Sequence, residues 1–245
     1  MEWSAGRALS DALRRRCKAE GVSVHAALVV ALDCALMAVF GKNSPKWIDN
    51  QIDPRRGRFP ALKDDMLFPG GGGFKVPTGH SREMDFWARA RAIHRDMPKQ
   101  IEEEVRRIPS RFHMFEMLRQ LTTGQVQSIL RIHDALTLSG RPNSFALSNW
   151  GNVDIIRSDA PFRLKDFRVY VHSFKTKVLG MIPYTVAGEM RFYCVSHEKC
   201  MSTSQINALM CEFAAVLQHQ AGHGNDVASD HLARRTQATR IGVSA

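Results

Sequence analysis

Ten histidines are the candidates for proton transfer at neutral pH: His25, His80, His94, His113, His133, His172, His197, His219, His223 and His231. A general base must lie within ~3 Å of the proton it removes, or reach it through one water. His25 sits one residue inside an apolar helical run, a position that suits a hydrogen-bonded or channel-lining histidine better than a base. The five cysteines, Cys17, Cys34, Cys194, Cys200 and Cys211, form no CxxC pair. An odd count in a chain without an export signal argues for reduced thiols rather than a disulfide framework. Cys194, His197 and Cys200 are the nearest approach to a metal set. Tetrahedral zinc needs four clustered ligands, and residues 189–196 read as a strand, so no structural metal is expected. Gly70–Gly73 precede Lys75, but no Ser or Thr adjoins that lysine and no helix starts at P-loop spacing.

The densest basic clusters are Arg14-Arg15-Arg16 with Lys18, and Arg55-Arg56 with Arg58. Each is either a solvated face or a docking patch for an anion. The chain of 245 residues carries a formal charge of +10, so its summed field attracts polyanions of any kind. Nucleic-acid binding rests on that charge alone, because no zinc finger, basic zipper or aromatic ribonucleoprotein strand is present; no nucleic-acid partner is expected.

The elements that must position these groups follow from patterning. Ser10 is expected to open a short helix ending at Gly21, and Ser23 to cap a second over Val24–Phe40 that stops at Gly41. The second helix is apolar all round and belongs at the centre of a layered fold. Its apolar run, Ala26 to Phe40, falls short of the ~20 residues a membrane span needs, and Met1–Arg16 lacks the apolar core of a secretory signal. The expectation is a cytoplasmic protein with no transmembrane segment.

Trp47–Asp53 read as a strand, followed to Thr78 by a long loop rich in Pro, Arg and Gly. Residues 81–107 make an amphipathic helix that Pro98 should kink. Thr122 and Gln125 form a capping box for a helix through Leu136. After Gly140 come five β-branched or aromatic runs, SFALSNW, VDIIR, FRVYVHSF, VLGMIPYTV and EMRFYCVS. A second capping box, Ser202 and Gln205, opens a closing helix through Gln218. Residues 1–218 are thus expected to form one α/β sandwich, and 219–245 a mobile basic tail.

Three stretches in this order resemble the C-terminal half of the chloramphenicol-acetyltransferase-like superfamily, which includes condensation domains, polyketide-associated acyltransferases and wax ester synthases. They are GVSVHAALVVALDCAL (Gly21–Leu36), FALSNWGNVDI (Phe145–Ile155) and Tyr184–Leu217. The second is similar to the family's Ser-Asn-x-Gly strand-turn, without the proline of its wax ester synthase variant. The resemblance implies a two-layer sandwich of a mixed sheet with covering helices, and a role in acyl transfer from a thioester to an alcohol or amine. Ser148, Asn149, Gly151, His25 and Tyr184 would then line the substrate channel, although Asn149 has an equally physical use in a tight turn.

The family's catalytic motif, His-His-x-x-x-Asp in its N-terminal half, is absent. None of the ten histidines follows another or has an aspartate four residues on. No catalytic residue is therefore assigned to this chain, and no bound cofactor beyond an acyl-CoA or acyl-carrier-protein thioester as co-substrate. Expected partners are a histidine-bearing N-terminal half and that donor, with Arg55, Arg56 and Arg58 as its docking residues; homodimerisation is also expected of a half that exposes its packing face. The alternative is a non-catalytic scaffold that binds an acyl chain or carrier protein.

Overall fold

The computed structural model describes residues 1–53, 72–79, 85–137, 144–153, 167–168, 179–197 and 200–222. Seven strands form one mixed sheet in the order β1-β7-β6-β4-β2-β3, with β5 also pairing β6. The strands are β1 (Glu2–Ser4), β2 (Trp47–Ile52), β3 (Gly72–Pro77), β4 (Ser144–Leu147), β5 (Gly151–Asn152), β6 (Leu179–Val186) and β7 (Glu189–Ser196). Strands β2, β4 and β6 run parallel, while β3, β7 and β1 are antiparallel to their neighbours.

Helices α1 (Gly6–Ala19), α2 (Val24–Phe40), α3 (Phe86–Leu118) and α5 (Thr203–Gln220) cover one face. Helix α2 lies at their centre, against α1, α3 and α5. Its apolar surround explains its sequence: Ala26–Leu32, Ala35 and Leu36 are all buried. With the 3-10 turn Gly41–Asn43 it reaches 20 residues at a mean hydropathy of 2.1, which corrects the expectation that this segment is too short for a membrane span. Packing against α1, α3 and α5 accounts for that composition without a bilayer.

Ser23 caps α2 by accepting from the Ala26 amide at 3.2 Å. The Ser202–Gln205 and Thr122–Gln125 capping boxes form as expected, the latter opening α4 (Thr123–Thr137). Helix α1 departs from expectation by starting at Gly6, so Ser10 is interior rather than a cap. Its buried hydroxyl donates to the Gly6 carbonyl and accepts from the Met190 amide at 2.8 Å, joining α1 to β7. Helix α3 starts with Asp85 accepting from the Trp87 and Ala88 amides at 3.0 and 3.1 Å. It continues through Pro98 and Pro109, both exposed, to Leu118. Missing ladder bonds on a solvated face are answered by water, so these prolines do not end the helix. Helix α5 also outlasts the expected stop at Gln218, running to Gln220. The tail from 223 lies outside the described residues, as do most of VDIIR and FRVYVHSF.

Strand β3 corrects the expected loop to Thr78. Gly72 and Gly73, half of the four-glycine run, pair with Ile52 and Gln51. A Cβ on Gly72 would stand 2.8 Å from the Glu104 side chain, and one on Gly73 2.8 Å from Asp49 Oδ1. Glycine there serves close approach rather than mobility. Buried Glu104 accepts from the Gly73 amide at 3.3 Å and pairs with Arg111. Farther along, Arg89 donates to the Pro77 carbonyl at 2.8 Å and forms an ion pair with Asp33 of α2 at 3.2 Å. Asp33 also accepts from the Gly79 amide at 2.8 Å. A carboxylate amid an apolar helix demanded such partners.

Candidate functional site

Strand β4 follows β6 with Leu147 opposite Met181, and β5 resumes with Gly151 opposite Tyr184. The register has slipped by one residue across Ser148–Trp150. The backbone keeps donating to β6 throughout: Ser148 to the Met181 carbonyl, Trp150 to Pro183 and Val153 to Thr185, at 2.9 to 3.0 Å. This is a bulge in a parallel pair, with Gly151 at φ +69° supplying the left-handed residue. Asn149 Oδ1 accepts from the Gly151 amide at 3.0 Å, which holds the turn, so the structural use of this asparagine is realised.

The extra residue changes faces. Phe145 and Leu147 point into the helix-covered core, whereas Val153 joins Ile182, Tyr184 and Val186 on the opposite face. A regular strand would have sent Val153 to the core, since side chains alternate with period two. Phe167 and Tyr193 pack against this second cluster. Trp150, 41% exposed, lies 6.3 Å from the Phe167 ring, which meets Tyr184 edge-on at 5.8 Å. The result is an aromatic shelf beside the bulge.

Polar groups on the shelf are few. The Tyr184 hydroxyl donates to the Phe167 carbonyl at 2.9 Å and lies 3.4 Å from Glu2 Oε1. Burial, then the Glu2 carboxylate, holds its ionisation above the ordinary tyrosine value. Its one proton is committed to a structural bond. The Ser148 hydroxyl accepts from Trp150 Nε1 at 3.1 Å and retains its own proton to donate. Val153, Ile182, Tyr184 and Val186 are themselves buried, so the part of the shelf open to solvent is Trp150, with the half-buried Ser148 hydroxyl beside it.

Ser148, Asn149, Gly151 and Tyr184 are thus brought together, while His25 is not among them. His25 lies over the helix-covered face at the start of α2, with its ring 6.4 Å from that of Phe74 on β3. Burial lowers its pKa to about 4, partly offset by the Asn50 side chain. The imidazole is neutral at pH 7. Between the ordinary histidine value of 6.5 and about 4, the unfolded chain takes up a proton that the folded one refuses, so stability falls as pH falls through that window. His25→Gln should flatten the acid side of a stability–pH profile by about 3 kcal/mol; parallel profiles for variant and wild type would contradict this.

Asn50 itself was not anticipated. It is fully buried on β2, donating to the Ile48 carbonyl at 3.0 Å, and the alternation of WIDNQID gives no hint of a polar residue on the core face. Arg55, Arg56 and Arg58 lie outside the described residues. In the other basic cluster, Arg14 donates to the Gly188 carbonyl at 3.0 Å, and Arg16 lies over the Trp87 ring at 5.4 Å and pairs with Glu20 at 2.8 Å; both serve local packing. Burial pushes the Cys17 and Cys194 thiols up to about 11, which makes them inert at neutral pH. No group of three metal-ligating side chains occurs among the described residues.

No family model and no curated protein matches the sequence. Solved structures do match. Trichothecene 15-O-acetyltransferase from Fusarium sporotrichioides superposes with a TM-score of 0.66 at 11% identity, over 91% of this chain and 47% of that one. PapA2 acyl transferase gives 0.56 at 15% identity, over 90% and 44%. The epimerization domain from the third module of tyrocidine synthetase B gives 0.56 at 14%, over 91% and 47%. The chain has the chloramphenicol-acetyltransferase-like fold. It spans somewhat under half the length of these proteins, so this is the fold of a half. A mixed sheet with covering helices is the architecture that the three sequence stretches implied.

Proposed function

We propose that the chain is the C-terminal half of an acyltransferase or condensation-type catalyst. In this reading it supplies binding surface to a tunnel through which an acyl group passes from a thioester to an alcohol or amine. The observation that carries this reading is the superposition of nine-tenths of the chain on less than half of an acetyltransferase and of an acyl transferase. The exposed Trp150 ring beside the bulge supports it: an aromatic face suits an acyl chain, and Ser148 supplies a donor for the carbonyl that the acyl chain carries.

The general base belongs to another half. His25 is on the wrong face for the shelf, and the sequence lacks the motif that the resemblance requires. Attack on the thioester carbonyl would proceed with that base removing the proton of the hydroxyl or amine and the thiolate leaving. This chain's part is to orient the acyl group and exclude water. Arg55, Arg56 and Arg58 would draw the phosphate of coenzyme A or an acidic carrier protein.

The test is thioester consumption with a panel of alcohols and amines, by the purified chain alone and mixed with a separately expressed half bearing His-His-x-x-x-Asp. Turnover confined to the mixture is expected, reduced by Ser148→Ala. Turnover by the chain alone would overturn the assignment of the base, and none in either case would favour a binder of acyl chains or carrier protein.

A further inference from the structure

Trp150 is exposed, yet it is held at its backbone, its ring nitrogen and its ring edge. Its amide donates to the Pro183 carbonyl at 2.9 Å, its Nε1 donates to the Ser148 hydroxyl at 3.1 Å, and its ring lies 6.3 Å from that of Phe167. The turn around it is fixed as well, by the bond from the Gly151 amide to Asn149 and by Gly151 at φ +69°. The indole is therefore ordered before any ligand arrives. A ring held in this way loses little conformational entropy on contact.

Its surroundings decide what it can take. The aliphatic members of the shelf, Val153, Ile182 and Val186, are buried, so they offer a long alkyl chain no surface to lie along. A sugar needs polar partners for its hydroxyls, and the Tyr184 hydroxyl is already committed to the Phe167 carbonyl. A cation over the indole face is opposed by the formal charge of +10. A flat, uncharged ring meets none of these objections, and an indole binds it by offset stacking. In an aromatic acyl group, conjugation keeps the carbonyl in the plane of the ring. Ser148 sits at the edge of the indole and retains its proton to donate to that carbonyl.

Given the acyl-transfer reading, we infer that Trp150 is a stacking platform that selects aromatic acyl groups over aliphatic ones, with Ser148 bonding the carbonyl. Equilibrium dialysis of the full chain against N-acetylcysteamine thioesters tests this without any turnover. The benzoyl thioester should bind about threefold to tenfold tighter than the cyclohexanecarbonyl thioester, which has the same carbon count but no π face. Lengthening a linear acyl group from hexanoyl to decanoyl should change affinity by less than ~3-fold. Trp150→Leu should abolish the benzoyl preference and Trp150→Phe should keep it. Circular dichroism should find both variants folded, since the ring stands outside the core. Absent or equal binding of the benzoyl and cyclohexanecarbonyl probes would overturn the inference. So would a benzoyl preference that survives Trp150→Leu, or affinity rising about fourfold per methylene, the mark of a groove for an alkyl chain. The mixture with the histidine-bearing half reports on acyl transfer separately. A benzoyl preference without turnover there would sink acyl transfer and leave the ring site in place; turnover without the preference would sink the ring site alone.

Discussion

Asp33→Ala is expected to lower the unfolding free energy by about 3 to 5 kcal/mol. The aspartate is fully buried in α2, and its removal strands the guanidinium of Arg89, whose side chain is only 7% exposed. It also leaves the Gly79 amide without its acceptor. Coulomb attraction is not the main loss; the cost is that of a buried guanidinium without its counter-charge, the Pro77 carbonyl still accepting from it. Against the ~5 to 15 kcal/mol by which domains are stable, this is a large fraction. Removing both charges together, as Asp33→Ala with Arg89→Leu, should restore much of the loss, because an apolar replacement of a buried pair is often tolerated. Urea midpoints of the two single variants and the double would decide the matter. An Asp33→Ala loss below about 1 kcal/mol would mean that the pair behaves like an exposed one.

Phe213→Ala is the second large effect, at about 3 to 5 kcal/mol. The ring stands at the junction of α5 with the β1 edge, 5.2 Å from Phe192 and 6.4 Å from Trp3, both in edge contact. Trp3 and Phe192 stack in turn at 5.0 Å. Deleting the ring removes transfer energy, leaves a cavity and strips two aromatic contacts of about 1 kcal/mol each. Because β1 is three residues long and holds the edge of the sheet, its amide exchange should accelerate more than that of β6. Uniform acceleration across the sheet would indicate global destabilisation without local loosening.

Helix α2, helix α5 and the β6–β7 hairpin were legible in the sequence because each states its structure locally, through a capping side chain, an apolar period or alternation around Ala187-Gly188. What was not legible depended on contacts distant in sequence. Gly72 and Gly73 have the composition of a loop and become a strand by pairing with Ile52 and Gln51, in a place where Glu104 and Asp49 leave no room for a Cβ. Ser10 resembles a cap, yet it is drawn inside α1 by the Met190 amide. The bulge at Ser148–Gly151 was seen as a motif, but its effect was not: only the pairing with β6 shows that one added residue transfers Val153 to the far face and so builds the shelf. His25 was grouped with that shelf by resemblance, and the fold separates them by the thickness of the sheet.

The contacts along β3 have a further consequence for solubility. In an antiparallel edge strand, alternate residues turn their amide and carbonyl groups outward, ready to recruit a foreign strand. On β3 the outward set is Gly73, Lys75 and Pro77, and it is largely spent. Glu104 occupies the Gly73 amide, Pro77 has no amide to offer, and Arg89 occupies its carbonyl. Among the described residues Lys75 is left as the open position, and it carries a charge that a stacking chain would have to bury. The sheet is therefore terminated rather than merely ended, and a protein with this border resists runaway strand addition even at high concentration.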